Sequence, residues 1–173
     1  MEQQADSKKL VVEALSSQSS DSNHISDTID ILKELPSLAE KKKISLQKVE
    51  SLYALGYQLY QAQCYREAGD LFRFVCFFES RVPSYWIALG GAYQYSKHHD
   101  NALAAFTMAS LLDPHNPEPR FYTAHTLIDL QDLKLALQSI NIAIELCRNS
   151  PDHADLYRRS MALRNAIMLH LKQ

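Results

Sequence analysis

One offset of 34 residues superimposes three stretches of this chain, and a repeat of that length leaves few folds open to it. Leu55 and Gly56 fall on Leu89 and Gly90, then on Thr123 and Ala124. Ala68, Ala102 and Ala136 coincide at the same offset. Phe72, Phe106 and Ile140 each follow four residues later, and Val75, Ala109 and Ala143 three residues after those. Pro83, Pro117 and Pro151 complete the frame. The pattern describes a helix hairpin in which a small residue on each helix permits close approach, while a large residue fills the space between helices. Asn116 before Pro117, and Ser150 before Pro151, place a capping side chain ahead of a proline at a helix start, where its missing N–H costs nothing.

The second repeat carries Trp86, Leu89, Gly90, Tyr93, Ala102, Phe106, Ala109 and Pro114 at the spacing of tetratricopeptide repeats. The first repeat has Leu52 where the tryptophan stands. The third has Arg120 there, and Thr123-Ala124 in place of Leu-Gly. The sequence therefore predicts an all-α tetratricopeptide-repeat superhelix of three helix hairpins plus a C-terminal capping helix. Helices are expected near 46–62, 65–79, 84–96, 99–112, 117–130 and 133–147. The capping helix, near 152–171, carries Leu156, Met161, Leu163, Ile167 and Leu169. The repeat domain spans 45–171, with repeats near 49–82, 83–116 and 117–150.

Residues 1–44 form a tail. Its run from Ser16 to Ser22 can bury almost nothing, so most of the tail is expected to be disordered. Ile25, Ile29, Leu32 and Leu35 nevertheless share one helical stripe that Pro36 stops, which predicts a short amphipathic helix near 25–35.

In stacked hairpins the first helix of each pair lines the inner face, so residues on its free side could touch a guest peptide. The first repeat offers Tyr53, Tyr57, Tyr60 and Gln61. The second offers Ile87, Ala88, Gly91, Gln94 and Tyr95, with Gly91 leaving room for a guest side chain. The third offers Phe121, Tyr122, His125, Ile128 and Asp129. Tyrosine combines apolar area with a hydroxyl and loses little rotamer entropy, as a peptide-binding surface requires. Leu52, Leu55 and Leu59 are expected to supply the buried stripe of the first helix, which leaves the three tyrosines on the other side.

Other function classes find little support. The formal charge of −2 creates no field for nucleic acid or an anionic membrane, and no run of apolar residues reaches the length of a membrane span. No signal peptide is visible after Met1, and Cys64, Cys76 and Cys147 sit at unrelated spacings among apolar residues, as thiols in a reducing cytosol do. His98, His99 and His115 lack ligand spacing, so no metal, cofactor or catalytic role is expected. No phosphate-binding loop is present, since Gly90-Gly91 lies mid-helix. A carboxylate clamp would need Lys, Arg and Asn where Tyr, Ile and Phe stand.

The segments Leu52-Tyr53-Ala54-Leu55-Gly56-Tyr57-Gln58-Leu59-Tyr60, Tyr65-Arg66-Glu67-Ala68 and Phe72-Arg73-Phe74-Val75-Cys76 resemble the first repeat of the class II chaperones of type III secretion, the SycD, LcrH and IpgC type. Tyr85-Trp86-Ile87-Ala88-Leu89-Gly90-Gly91-Ala92-Tyr93-Gln94 and Pro119-Arg120-Phe121-Tyr122-Thr123-Ala124 are similar to its second and third repeats. The resemblance covers roughly residues 45–170. It implies a bacterial cytoplasmic chaperone that binds a hydrophobic translocator protein before export, through an extended Pro-x-Leu-x-x-Pro segment in the groove. It also implies a homodimer, to which Ile25, Ile29, Leu32 and Leu35 would contribute.

Overall fold

The computed structural model describes residues 45–148 and 151–172. The expectations for the 1–44 tail, including the stripe of Ile25, Ile29, Leu32 and Leu35, and for a Ser150 cap lie outside the described residues. Within them every regular element is helical: α1 Leu46–Gln61, α2 Tyr65–Phe78, α3 Pro83–Tyr95, α4 His99–Leu112, α5 Glu118–Asp129, α6 Leu133–Arg148 and α7 Ala154–His170, with a 3₁₀ turn Pro151–His153 before α7. They form two compact units that part between Leu112 and Asp113. In the first, α1 packs on α2, α2 on α3 and α3 on α4; in the second, α5 packs on α6 and α6 on α7.

The close approach within each hairpin has a measurable origin. A Cβ on Gly56 would stand 2.7 Å from Cε1 of Phe72, and one on Gly90 would stand 2.5 Å from Cε1 of Phe106. Both phenyl rings are fully buried. The third repeat reaches the same end with a larger small residue and a smaller large one, Ala124 and Ile140, both fully buried.

The turns inside the hairpins repeat as well. Gln63, Lys97 and Gln131 adopt φ of 63°, 65° and 61° and lie one repeat apart. In each, this residue's N–H donates three residues back, to the carbonyl oxygens of Tyr60, Gln94 and Ile128. The following N–H donates five residues back, to Leu59, Tyr93 and Leu127, which is the double bond of a Schellman cap. The sequence carries no glycine there, so the left-handed residue of each turn was not visible in it.

Between α2 and α3 the connection is held by polar contacts. Glu79, buried, accepts from Arg81 Nε at 2.9 Å and from its terminal nitrogen at 3.1 Å. Trp86 Nε1–H donates to the Ser80 carbonyl at 2.8 Å. At the start of α5, Asn116 Oδ1 accepts the Glu118 N–H at 3.0 Å, so it caps as the sequence implies, with the helix beginning one residue later than expected.

Two expectations need correction. Leu55 does not belong to the buried stripe of α1; it is 47% exposed, and the inward positions are Val49, Leu52, Gly56 and Leu59. The physical reason lies in the repeat frame: its counterpart Leu89 is covered by α2, whereas no described helix precedes α1. Cys64 is exposed at the first turn rather than seated among apolar residues. Cys76 and Cys147 are buried, and burial pushes the Cys76 thiol up to about 12, so it stays protonated as a small apolar side chain.

Candidate functional site

The tyrosines of α1 rise one turn apart on one face, and their rings touch in sequence. Tyr53 and Tyr57 have centroids 5.9 Å apart, Tyr57 and Tyr60 6.1 Å. Packing of α3 beside α1 extends the row. Tyr53 meets Tyr85 at 4.8 Å and Phe72 at 5.6 Å, while Tyr60 meets Tyr95 edge-on at 5.7 Å. Tyr65, the first residue of α2, stacks on Tyr95 at 4.8 Å and touches Tyr60 at 5.3 Å. The result is one aromatic face shared by α1, α3 and the first turn of α2.

Its members differ in how far they are committed to the core. Tyr85 is buried and Tyr53 half-buried, and burial raises both phenols above their ordinary range. Tyr57 and Tyr95, by contrast, are 46% and 57% exposed. Of the other residues expected here, Gln61 is exposed, and Ile87, Ala88, Gly91 and Gln94 are half-buried. The room left by Gly91 is already taken: a Cβ there would stand 3.2 Å from the Tyr60 hydroxyl, so the missing side chain seats Tyr60 rather than a guest. Tyr65 and Tyr85 were not among the expected residues. Tyr65 had a signal, since it follows a tight turn and must lie beside the last turn of α1, where Tyr60 stands.

No family model matches the chain. Low calcium response locus protein H of Yersinia pseudotuberculosis serotype I (strain IP32953) is 26% identical over 132 residues, covering 76% of this chain and 79% of the relative. The crystal structure of the Yersinia enterocolitica type III secretion chaperone SycD in complex with a peptide of the translocator YopD matches at a TM-score of 0.69 and 27% identity, covering 73% of this chain and 97% of that one. Pseudomonas aeruginosa PcrH, in complex with the chaperone binding region of PopD, matches at a TM-score of 0.71 and 28% identity over 73% and 96% of the two chains. The chain is similar to type III secretion translocator chaperones over about three quarters of its length.

The second unit holds the remaining expected residues in a different setting. Phe121 is only 2% exposed; its ring packs on Tyr122 at 5.5 Å and His125 at 4.7 Å, and the Arg159 guanidinium lies over it at 4.8 Å. A ring so covered offers a guest little surface. Tyr122, His125 and Ile128 are half-buried and Asp129 is exposed.

Burial, and then the Arg159 charge, hold the His125 imidazolium below its usual 6.5, with Asp129 opposing. The unfolded chain therefore binds the proton more readily than the folded one. Stability is complete above about pH 6.5 and falls as the pH drops through the window below it. The urea midpoint should decline more between pH 7.5 and 5.5 for the natural chain than for His125→Gln, in which the other histidines cancel. Equal declines would remove His125 as the cause.

Proposed function

We propose that this chaperone holds an extended apolar segment of a secreted translocator, of the Pro-x-Leu-x-x-Pro kind, against the tyrosine face of α1 and α3. Holding the segment keeps the client from aggregating or associating prematurely before type III secretion. The observation that carries this reading is the exposure of Tyr57 and Tyr95 on rings braced by three further tyrosines, Tyr53, Tyr60 and Tyr65. Exposed aromatics on rigid helices bind without reorganising the chaperone, so little of the contact energy is lost to ordering it. Prolyl and leucyl side chains suit such a face because phenol rings give broad apolar contact and their hydroxyls reach the backbone of an extended segment.

Tyr53, Tyr60, Gln61, Ile87, Ala88, Gly91 and Gln94 border or brace this face. In the second unit Tyr122, His125, Ile128 and Asp129 offer a contact surface, and Phe121 supports it from beneath. The role is one of binding, with no enzymatic step, no cofactor and no metal. It belongs in the bacterial cytoplasm, and among the described residues no helix is long and apolar enough to cross a membrane. SycD has been solved in an alternative dimer, which supports a homodimer here.

Co-expression with a translocator tests the reading. The natural chain should keep the client soluble and co-elute with it, and the double variant Tyr57→Ser, Tyr95→Ser should do neither while keeping its helical content. Undiminished co-elution of a folded double variant would move the site elsewhere.

A further inference from the structure

The 34-residue frame runs on past the third hairpin into α7. Tyr57, Gly91, His125 and Arg159 fall on one position of it, and Tyr53, Ile87, Phe121 and Asp155 on the position one turn earlier. These are the positions at which α1 presents its tyrosines. α7 stands where the first helix of a further hairpin would, so Arg159 belongs to the same series of inner-face residues as Tyr57. Along that series the side chain changes from a phenol to an imidazole and then to a guanidinium.

Arg159 is exposed but held in place. Its guanidinium lies 4.8 Å from the centre of the buried Phe121 ring, and His125 stands edge-on to the same ring at 4.7 Å. A guanidinium held over an aromatic face still has an N–H edge to donate. Among the described residues no carboxylate takes it, although Asp155 precedes Arg159 by four residues, the favourable order on a helix. Asp155 pairs instead with Arg158, at 3.1 Å. The guanidinium and the imidazole are within electrostatic reach of each other, since the Arg159 charge helps to hold the His125 imidazolium down while Asp129 opposes it.

We propose that Arg159, held over Phe121 and beside His125, pairs with an acidic side chain of the client, so that the chaperone selects its client by charge as well as by apolar contact. The proposal rests on the reading that the client lies along the first-helix face. A single fork of donors fits the two oxygens of a carboxylate, and Asp129 near His125 keeps the local positive charge too low to favour a dianion. The Phe121 ring closes one side of the guanidinium to water and fixes its position, so less freedom is lost on pairing than at an unsupported surface arginine.

Synthetic peptides and the full chain test it. A Pro-Ala-Leu-Ala-Ala-Pro core is extended at either end by about twelve Gly and Ser residues, which reach up to roughly 40 Å, with one Glu or one Gln at successive positions. At the best position Glu should bind the natural chain about tenfold more tightly than Gln, the worth of a hydrogen bond to a charged group. Arg159→Gln, with unchanged circular dichroism, should abolish that preference. Arg159→Lys should keep only part of it, because an ammonium has no planar fork, and Arg159→Glu should prefer Lys at the same position. Equal affinities for Glu and Gln at every position, with all peptides weakened by Tyr57→Ser, Tyr95→Ser, would overturn the proposal and leave the tyrosine site standing. A Glu preference that survives Arg159→Gln would overturn it as well. A preference lost with Arg159, in peptides indifferent to the tyrosine double variant, would keep the pairing and remove the tyrosine face. Peptides that do not bind the natural chain at all would sink both.

Discussion

Gly90→Ala should destabilise the first unit by up to about 2 kcal/mol although it replaces the poorer helix former with the best one. The added methyl would meet Cε1 and Cδ1 of Phe106 at 2.5 and 2.6 Å, and that ring is fully buried with nowhere to retreat. Overpacking of this kind costs about 1–3 kcal/mol, and helix propensity returns about 1 kcal/mol of it. The third repeat suggests the remedy, because there Ala124 and Ile140 hold the positions of Gly90 and Phe106. Phe106→Ile alone should cost about 1–3 kcal/mol through the cavity it leaves. The double variant Gly90→Ala, Phe106→Ile should be more stable than the two single losses added together by at least ~1 kcal/mol, as expected for residues in contact. Urea midpoints of the four proteins complete the cycle, and strict additivity would mean that the glycine is there for some reason other than the phenyl ring.

The same pair shows why so much of the fold was legible beforehand. A residue conserved in size across three repeats of one chain reports a packing contact directly, and the hairpins followed from it. What escaped depended on features the repeat does not encode. Leu55 and Leu89 are identical in the frame, yet one is open and one covered, because exposure is set by which helix lies alongside and not by the residue, and among the described residues no helix precedes α1. Gln63, Lys97 and Gln131 take a left-handed conformation without the glycine that would announce it, since the cap's two hydrogen bonds offset a strain of about 1 kcal/mol. The tyrosines of α1 were visible as a stripe. Tyr85 was not, because an alternation of buried and open rings arises only when α3 is laid beside α1.

That alternation separates two kinds of tyrosine, and with them two kinds of loss. Tyr53→Ala and Tyr85→Ala remove rings that touch each other at 4.8 Å and border the core around Phe72. Each should cost about 3 kcal/mol in stability, in the range of large aromatic truncations. Tyr57→Ala and Tyr95→Ala remove rings that face solvent, and each should shift stability by no more than about 1 kcal/mol, the worth of an aromatic pair. For binding the order reverses. An exposed, braced aromatic that becomes covered by a guest has the character of an interface anchor, worth about 2 kcal/mol or more, so each of these two variants should weaken a Pro-x-Leu-x-x-Pro peptide roughly 30-fold. Tyr57→Phe and Tyr95→Phe divide that loss between ring and hydroxyl: affinity near that of the natural chain assigns it to apolar contact, whereas a drop approaching the alanine value assigns it to a hydrogen bond with the peptide backbone. Calorimetric titration alongside urea unfolding of the same six proteins reads both quantities. A peptide that binds Tyr57→Ala as well as it binds the natural chain would place the guest away from the exposed end of this aromatic row.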